Sequence, residues 1–108
     1  MAKMYKLVFT VPLSHADAVR EAIGKAGAGK HGNYSFASFS SRGIGRFKPE
    51  AGAHPHIGEI GKLAEVEEER MECRVSPELV DGVIAALKRT HPYEVIAYDL
   101  IPVEVREE

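Results

Sequence analysis

The amino-acid sequence predicts an α+β sandwich, in which a four-stranded antiparallel sheet carries two helices on one face. Three observations support this prediction. The chain has 108 residues, of which 44% are apolar and 28% charged, as in an ordinary single globular domain. Apolar residues alternate with period two in four segments and recur with helical period in two others. These segments follow one another in the order β-α-β-β-α-β, so residues 1–108 are predicted to form one domain of two similar halves.

The first half of the chain begins with a predicted strand and a predicted helix. From Tyr5 to Val11, aromatic and branched apolar residues alternate with other residues, and Pro12 ends the pattern. Ser14 is then predicted to cap a helix, and Gly27 supplies its left-handed stop. The apolar face of this helix follows the spacing i, i+3, i+4, i+7. It consists of Val19, Ala22, Ile23 and Ala26.

The middle of the chain is rich in glycine, because nine of the ten glycines lie between Gly24 and Gly61. Alternation over Tyr34–Phe39 predicts the second strand. Residues Ser41–Lys62 hold five glycines and two prolines, and they are predicted to form a long loop with at most a short extended piece around residues 46–47. A connection of this length inside a compact domain is usually functional or involved in assembly.

The second half opens with the predicted third strand, Glu65–Val75. Its later residues place Met71, Cys73 and Val75 on one face, as expected for a strand packed on a core. Its earlier residues form the acidic run Glu65–Glu69, which is predicted to be a solvated strand end that extends beyond the core.

A second helix and a fourth strand complete the predicted fold. Ser76 is predicted to cap the helix, and His91-Pro92 is predicted to stop it. The apolar face consists of Val80, Val83, Ile84 and Leu87. The fourth strand is predicted over Glu94–Pro102, and Val103–Glu108 is predicted to be a polar tail.

Two β-α-β units with right-handed crossovers give a ferredoxin-like sandwich. The sheet face opposite the helices has no helices of its own to cover it. On the first strand this face carries Met4, Val8 and Thr10, which are mixed enough in polarity to predict partial burial. We therefore expect the protein to form homo-oligomers.

Composition excludes several classes of partner. The net charge of −2 disfavours nucleic acid, which usually binds a basic surface. The sequence has no signal-peptide pattern and no run near the ~20 apolar residues that span a bilayer. The single cysteine, Cys73, is predicted to be a small buried hydrophobe and fits a reducing compartment. We expect a cytoplasmic protein that binds neither nucleic acid nor membrane.

One candidate site lies in the long loop. His54 and His56 flank a proline, and Glu59 follows three residues later. Imidazole and carboxylate groups are suitable ligands for a divalent transition metal ion, the only cofactor that the sequence suggests. Further ligands would have to come from His31, His91, Asp99 or another subunit, and a plain subunit contact is the alternative.

Six residues are candidates for a small-ligand site. They are Tyr34, Arg46, Lys48, His91, Tyr93 and Glu94. The two cations would hold an anion and the two tyrosines would form walls, where the long loop, the turn Gly29–Tyr34 and residues 91–94 are expected to converge. The histidine either caps backbone carbonyls or transfers protons in a small hydrolase or isomerase, and we rank the enzyme lowest.

Several motifs together resemble one family. They are Gly27-Ala28-Gly29, Gly32-Asn33-Tyr34, Gly45-Arg46-Phe47-Lys48-Pro49, Gly52-Ala53-His54-Pro55-His56-Ile57-Gly58, Glu65, Glu67, Arg70-Met71-Glu72, His91-Pro92-Tyr93-Glu94 and Ala97-Tyr98-Asp99. Over nearly the whole chain they resemble the small domain inserted in bacterial members of the NGG-one-interacting factor three family (the YqfO type, often labelled GTP cyclohydrolase type-two homologues), and stand-alone proteins made of that domain. His31, Val95 and Ile96 depart from the family pattern.

The resemblance implies a fold similar to the PII signalling proteins and the CutA divalent-cation-tolerance proteins, whose subunits assemble as trimers. It also implies that the long loop corresponds to the PII effector loop. The family's two-metal site lies in flanking segments, so its chemistry is not carried over to these residues. We expect a non-enzymatic PII/CutA-like assembly or small-ligand-sensing module, a trimer rather than a dimer, with a small molecule or a protein as partner. The alternative is a protein that binds a divalent transition metal through the His54 and His56 loop.

Overall fold

The computed structural model describes residues 2–106, and their elements follow the predicted order. The elements are β1 (Ala2–Pro12), α1 (Leu13–Lys25), β2 (Phe39–Phe47), β3 (Ala64–Val75), α2 (Val80–Thr90) and β4 (Tyr98–Val105), with a 3₁₀ turn over Pro77–Leu79 before α2. The four strands form one antiparallel sheet in the order β2-β3-β1-β4. The predicted ferredoxin-like α+β fold is confirmed.

The core lies between one face of the sheet and the two helices. The predicted inward faces of both helices pack there, and those of β1 and β3 lie opposite each other, with Phe9 beside Met71 and Leu7 beside Cys73. The buried residues include Leu7, Phe9, Val11, Val19, Ile23, Met71, Cys73, Val75, Val83 and Leu87. Apolar periodicity therefore located the core correctly, because each of these faces must be removed from water.

The direction of the helices decides which segments meet at each end of the sheet. We call the end where β1 begins the near end and the end where β1 stops the far end. Helix α1 runs back toward the near end, where the Gly29 amide donates to the Arg74 carbonyl at 2.8 Å. Helix α2 runs toward the far end, where His91 lies against the Thr10 carbonyl. The turn after α1 and the segment after α2 therefore lie at opposite ends.

The second strand lies later in the chain than the sequence predicts. The prediction of a strand over Tyr34–Phe39 is wrong, and β2 instead occupies the first part of the predicted loop. Within residues 29–38, His31 and Tyr34 pair in an isolated bridge, and Phe36 has a φ of 59°, which a strand cannot accommodate. Pairing with the free edge of β3 selects the true strand, and the loop that remains is residues 48–63.

Other boundaries differ by smaller amounts. Helix α1 begins at Leu13, and Ser14 does not cap it, because its Oγ lies 2.8 Å from Nδ1 of His15 instead. Ser76 likewise makes no capping hydrogen bond. Strand β4 starts and ends later than predicted, so it includes part of the predicted polar tail, of which residues 107–108 lie outside the described residues. Its limits follow from pairing with residues 2–9 of β1, from Phe9 opposite Tyr98 to Ala2 opposite Val105.

The β2–β3 hairpin extends beyond the rest of the sheet. Pairing between β1 and β3 stops at Glu68, whereas β2 stays paired with β3 as far as Ala64. The described residues consequently form an elongated body of 51 × 23 × 21 Å. No helix within residues 2–106 has the length and apolar character that crossing a bilayer requires.

The sheet face opposite the helices carries ion pairs as well as apolar residues. Glu72 lies opposite the buried Val8 and contacts Nζ of Lys6 at 3.7 Å and Nη1 of Arg70 at 2.7 Å. These charged side chains cover part of the sheet face that no helix covers. Burial of Val8 is therefore explained within a single chain.

Candidate functional site

A cavity of about 400 Å³ lies at the far end of the sheet. Its walls come from three stretches of chain, which are residues 45–50, residues 53–57 and residues 93–97, together with Glu68 of β3. We call it the far-end cavity. Two of the three segments that were expected to converge, the long loop and the residues after α2, do meet here.

His91 fixes the segment that forms one of these walls. Its side chain is buried, with Nε2 at 2.8 Å from the Thr10 carbonyl oxygen and Nδ1 at 3.2 Å from the Tyr93 amide nitrogen. A carbonyl only accepts and an amide N–H only donates, so the ring is neutral and carries its proton on Nε2. Burial lowers the pKa of His91, and the bond to Thr10 only partly opposes that effect. Both nitrogens are occupied, which favours a structural role over proton transfer.

Acid is expected to destabilise the protein through His91. In the unfolded chain this imidazole takes up a proton near its ordinary pKa of 6.5, whereas the folded protein resists protonation because the pKa of His91 is lowered. The stability that neutral His91 contributes is complete above pH 6.5, the ordinary pKa. It is lost as the pH falls from there through the lowered pKa of the folded protein. Urea unfolding from about pH 5 to about pH 8 should show this loss.

The His91→Gln variant should lose this part of the pH dependence, while His31→Gln, at an exposed position, should keep it. Equal pH slopes for His91→Gln and the wild type would contradict the assignment.

Tyr93 joins the wall after α2 to the sheet. Its hydroxyl donates to Oε2 of Glu68 at 2.8 Å, and its ring lies 5.8 Å from that of Phe47 in an edge-on arrangement. Burial, together with the bond to Glu68, raises the pKa of Tyr93 well above its ordinary value of 10.0. The phenol therefore stays protonated and serves as a hydrogen-bond donor.

The prediction that the whole acidic run Glu65–Glu69 is solvated is wrong at Glu68, which is buried. Glu68 is only 6% exposed, whereas Glu65 and Glu67 before it are exposed as predicted. Glu69 after it is half-buried in an ion pair with α1. Burial arises because the chain after α2 folds over the strand and brings Tyr93 to the carboxylate. A sequence pattern cannot reveal this contact, since the two residues lie 25 positions apart.

Two cations stand on the wall formed by the end of β2. Arg46 Nε lies 3.6 Å from a carboxylate oxygen of Glu65, and Lys48 Nζ lies 3.7 Å from one of Glu50. All four side chains are largely exposed, and exposed ion pairs of this kind contribute ~0–1 kcal/mol. Both cations can therefore exchange these partners for a ligand at little cost.

The long loop is attached to the rest of the fold at two points. The His54 amide donates to Oε1 of Glu94 at 2.9 Å, and the ring of His56 meets the ring of His15 edge-on at 5.6 Å. His15 was not predicted to take part. It lies in the first turn of α1, just beyond the end of β1, and this position at the far end is the signal that could have found it.

Tyr34 is the predicted ligand-binding residue that the structure places elsewhere. It is 76% exposed and belongs to the turn at the near end, next to His31. Helix α1 carries this turn away from the cavity, so within one chain it does not join the other candidates. Phe47 and Glu68 occupy the cavity walls in its place.

The predicted metal ligands do not form a cluster. Glu59 binds Nζ of Lys62 at 2.8 Å, while His54 and His56 are held by the contacts described above. Within residues 2–106, no three His, Cys, Asp or Glu side chains are arranged to hold a metal ion. A metal site at these residues stays a prediction.

Cys73 is a buried residue of β3, as predicted. Burial raises the pKa of its thiol to about 11. The thiol is therefore protonated near neutral pH, and a protonated thiol is a poor nucleophile.

Comparison with known proteins identifies similar sequences within longer proteins. No protein-family model matches the chain. A protein of Halalkalibacterium halodurans named GTP cyclohydrolase 1 type 2 homolog is 52% identical over 99 residues, which are 92% of this chain and 27% of that protein. A crystal structure of a Bacillus cereus protein related to NIF3 superposes with a TM-score of 0.84 at 44% identity, over 96% of this chain and 26% of that one. The chain thus spans about a quarter of the length of these relatives.

More distant structures share the fold over most of their own length. The divalent cation tolerance protein CutA of Archaeoglobus fulgidus has a TM-score of 0.68 at 17% identity, covering 98% of this chain and 88% of that one. GlnK of Bacillus subtilis, solved with ATP, has a TM-score of 0.64 at 17% identity and coverages of 95% and 84%. These likenesses show a CutA/PII-like fold. Over nearly its whole length, the chain is therefore similar to one small CutA/PII-like domain of the NIF3-related proteins.

Proposed function

We propose that this chain is a non-enzymatic small-ligand-binding module that works as a homo-oligomer. The observation that carries the proposal is the far-end cavity. Its volume of about 400 Å³ lies in the range of small-molecule sites, and its walls come from segments that are distant in sequence. Such a cleft depends on the complete fold, as expected for a binding site.

The lining of the cavity indicates the class of ligand. Phe47, Ile57, Tyr93 and Val95 supply apolar and aromatic surface, and Arg46 and Lys48 stand on the wall beside them. Apolar walls bury the body of a small molecule, while a few charged groups orient it. The ligand that fits is a small organic molecule with an anionic group and a flat apolar body.

The state of the reactive side chains supports binding rather than catalysis. His91 has both ring nitrogens hydrogen-bonded to the backbone, and Cys73 is buried and protonated. Tyr93 is held in its protonated form against Glu68. Each of these groups is occupied by the fold, so none is a ready nucleophile or base.

The edge of the sheet supports assembly into oligomers. Strand β2 has β3 on one side and no strand on its other side within the described residues. It contains no proline, and Phe39 and Ile44 on it are exposed. Edges of this kind readily pair with another chain. Three copies are our expectation, as the resemblance to PII and CutA subunits implies, and two copies are the alternative.

Sedimentation velocity at micromolar concentration tests the assembly. We expect a species near three times the chain mass of 11.8 kDa. Phe39→Lys should shift it toward the monomer, because a charge on β2 disfavours edge pairing. Ile60→Lys, in the loop between β2 and β3, is the matched control and should not. A strict monomer would contradict this part of the proposal.

Ligand binding is tested by titration of ¹⁵N-labelled protein with 3-phenylpropionate, an anion with a flat apolar body. We expect saturable shifts of the Phe47, Ile57 and Tyr93 amides. Replacing both Arg46 and Lys48 by glutamine should weaken binding about tenfold or more, because charge-assisted hydrogen bonds are lost. Arg42→Gln, on β2 outside the cavity lining, is the control. Shifts that avoid the cavity, or an unaffected double variant, would count against the proposal.

A further inference from the structure

Glu68 is a buried carboxylate with one oxygen that lacks a partner. Oε2 accepts the Tyr93 hydroxyl, whereas Oε1 has no hydrogen bond within residues 2–106. No Lys, Arg or His nitrogen of the described chain lies within 4 Å of either oxygen. Burying a carboxylate without a cation is costly, so such a group is usually paired.

The unpartnered oxygen is not sealed inside the protein. Every fully buried side-chain nitrogen or oxygen that the structure describes has a hydrogen-bond partner, so Oε1 must keep some access to open space. Glu68 lines three neighbouring openings of about 400, 260 and 210 Å³, and the far-end cavity is the largest of them. It is also the one that Tyr93, the partner of the other carboxylate oxygen, lines together with Glu68, so an occupant of this cavity lies beside the carboxylate.

Gly45 makes room for this carboxylate. A Cβ at position 45 would lie 1.9 Å from Oε1 of Glu68, far inside contact distance. At Gly43, two residues earlier on the same face of β2, a Cβ would meet nothing within 4 Å. The absence of a side chain at position 45 is thus specifically what lets the carboxylate lie against β2 at the cavity wall.

We infer that the ligand of the far-end cavity carries an ammonium or guanidinium group that binds Oε1 of Glu68, in addition to an anionic group that binds Arg46 and Lys48. The ligand class is then a small zwitterion with an apolar body, such as an amino acid. The rings of Phe47 and Tyr93, which also line the cavity, favour a cation near their faces. This inference rests on the proposed function, because it specifies the ligand of the same site.

Three probes that share a phenyl body test the inference in NMR titrations. They are 3-phenylpropionate with the anion only, 2-phenylethylammonium with the cation only, and L-phenylalanine with both. We expect L-phenylalanine to bind about tenfold more tightly than 3-phenylpropionate, since a new charge-assisted hydrogen bond forms. Glu68→Gln should abolish this difference and leave 3-phenylpropionate binding unchanged. Glu67→Gln, at the exposed neighbouring position, should change neither affinity.

A second pair of variants keeps the test independent of how well Glu68→Gln folds. Gly45→Ala should also remove the preference for L-phenylalanine, because its methyl group displaces the carboxylate, whereas Gly43→Ala should retain it. Equal binding of L-phenylalanine and 3-phenylpropionate to the wild type, or equal weakening of both by Glu68→Gln, overturns the inference while the proposed function stands. If none of the three probes shifts the cavity amides, the inference and the proposed function both fail.

Discussion

Truncation of Phe9 to alanine is expected to lower the free energy of unfolding by about 3–5 kcal/mol, the usual cost of removing a buried aromatic side chain. Phe9 is 1% exposed and is among the largest fully buried side chains of the described residues. It lies in the central part of the sheet, between Met71 on β3 and Tyr98 on β4. Neighbours on two strands hold the site open, so the vacated volume cannot close easily. Urea unfolding at neutral pH measures the loss.

The effect of Phe9→Ala should extend to the far-end cavity. The Phe9 ring meets the His91 ring edge-on at 6.5 Å, and His91 in turn holds the backbone of Tyr93. We therefore expect 3-phenylpropionate to bind the variant more weakly even under conditions where it remains folded. Tyr34→Ala, which removes an exposed ring at the near end, is the control and should change stability by less than about 0.5 kcal/mol. A loss below about 1 kcal/mol for Phe9→Ala would contradict this description of the core.

Replacement of Gly29 by alanine should destabilise the protein by about 3 kcal/mol or more. Its φ of 81° lies in the left-handed region, which costs an alanine ~1–2 kcal/mol. The new Cβ would also lie 2.3 Å from the Ala37 carbonyl oxygen and 2.5 Å from the Ala37 nitrogen. These are backbone atoms held by the Ala37-to-Gly29 hydrogen bond of 3.1 Å, so relief requires that the turn open. Thermal and urea unfolding both report the change.

Gly32→Ala separates the two causes of that loss. Gly32 also has a positive φ, of 55°, but a Cβ there would meet nothing within 4 Å. Only the conformational cost should appear, at ~1–2 kcal/mol. Equal stability of Gly29→Ala and Gly32→Ala would contradict the close approach of Gly29 to the Ala37 backbone. The comparison also tests the turn that replaced the predicted second strand.

The second strand escaped prediction for a physical reason. Strand β2 has the sequence FSSRGIGRF, and most of its side chains are exposed. Alternation of apolar and polar residues arises only where one face of a strand is buried, so an exposed edge hairpin leaves little pattern. The alternating residues of Tyr34–Phe39 belong to a turn instead, and Phe36 there packs its ring against Gly24 of α1.

The candidate site was partly predictable. Arg46, Lys48, Tyr93 and Glu94 were chosen from the sequence and line the far-end cavity. His91 was chosen as well. It does not line the cavity but holds the wall in place through its hydrogen bonds to the Thr10 carbonyl and the Tyr93 amide. Glu68 could not be chosen, because an acidic run is normally solvated and only tertiary contacts, here the one with Tyr93, withdraw a member of the run from water.

Hydrophobic periodicity in the sequence by itself determined every helix and strand except β2, together with the inward faces of both helices and the residues of the core. It could do so because burial of apolar surface acts on each segment separately. Only the tertiary structure decided where β2 pairs and which side chains enclose the cavity. Those outcomes depend on contacts such as His91 with Thr10 and His54 with Glu94, whose partners lie 81 and 40 positions apart. Strand register and helix direction bring such residues together, and neither leaves a local signal in the chain.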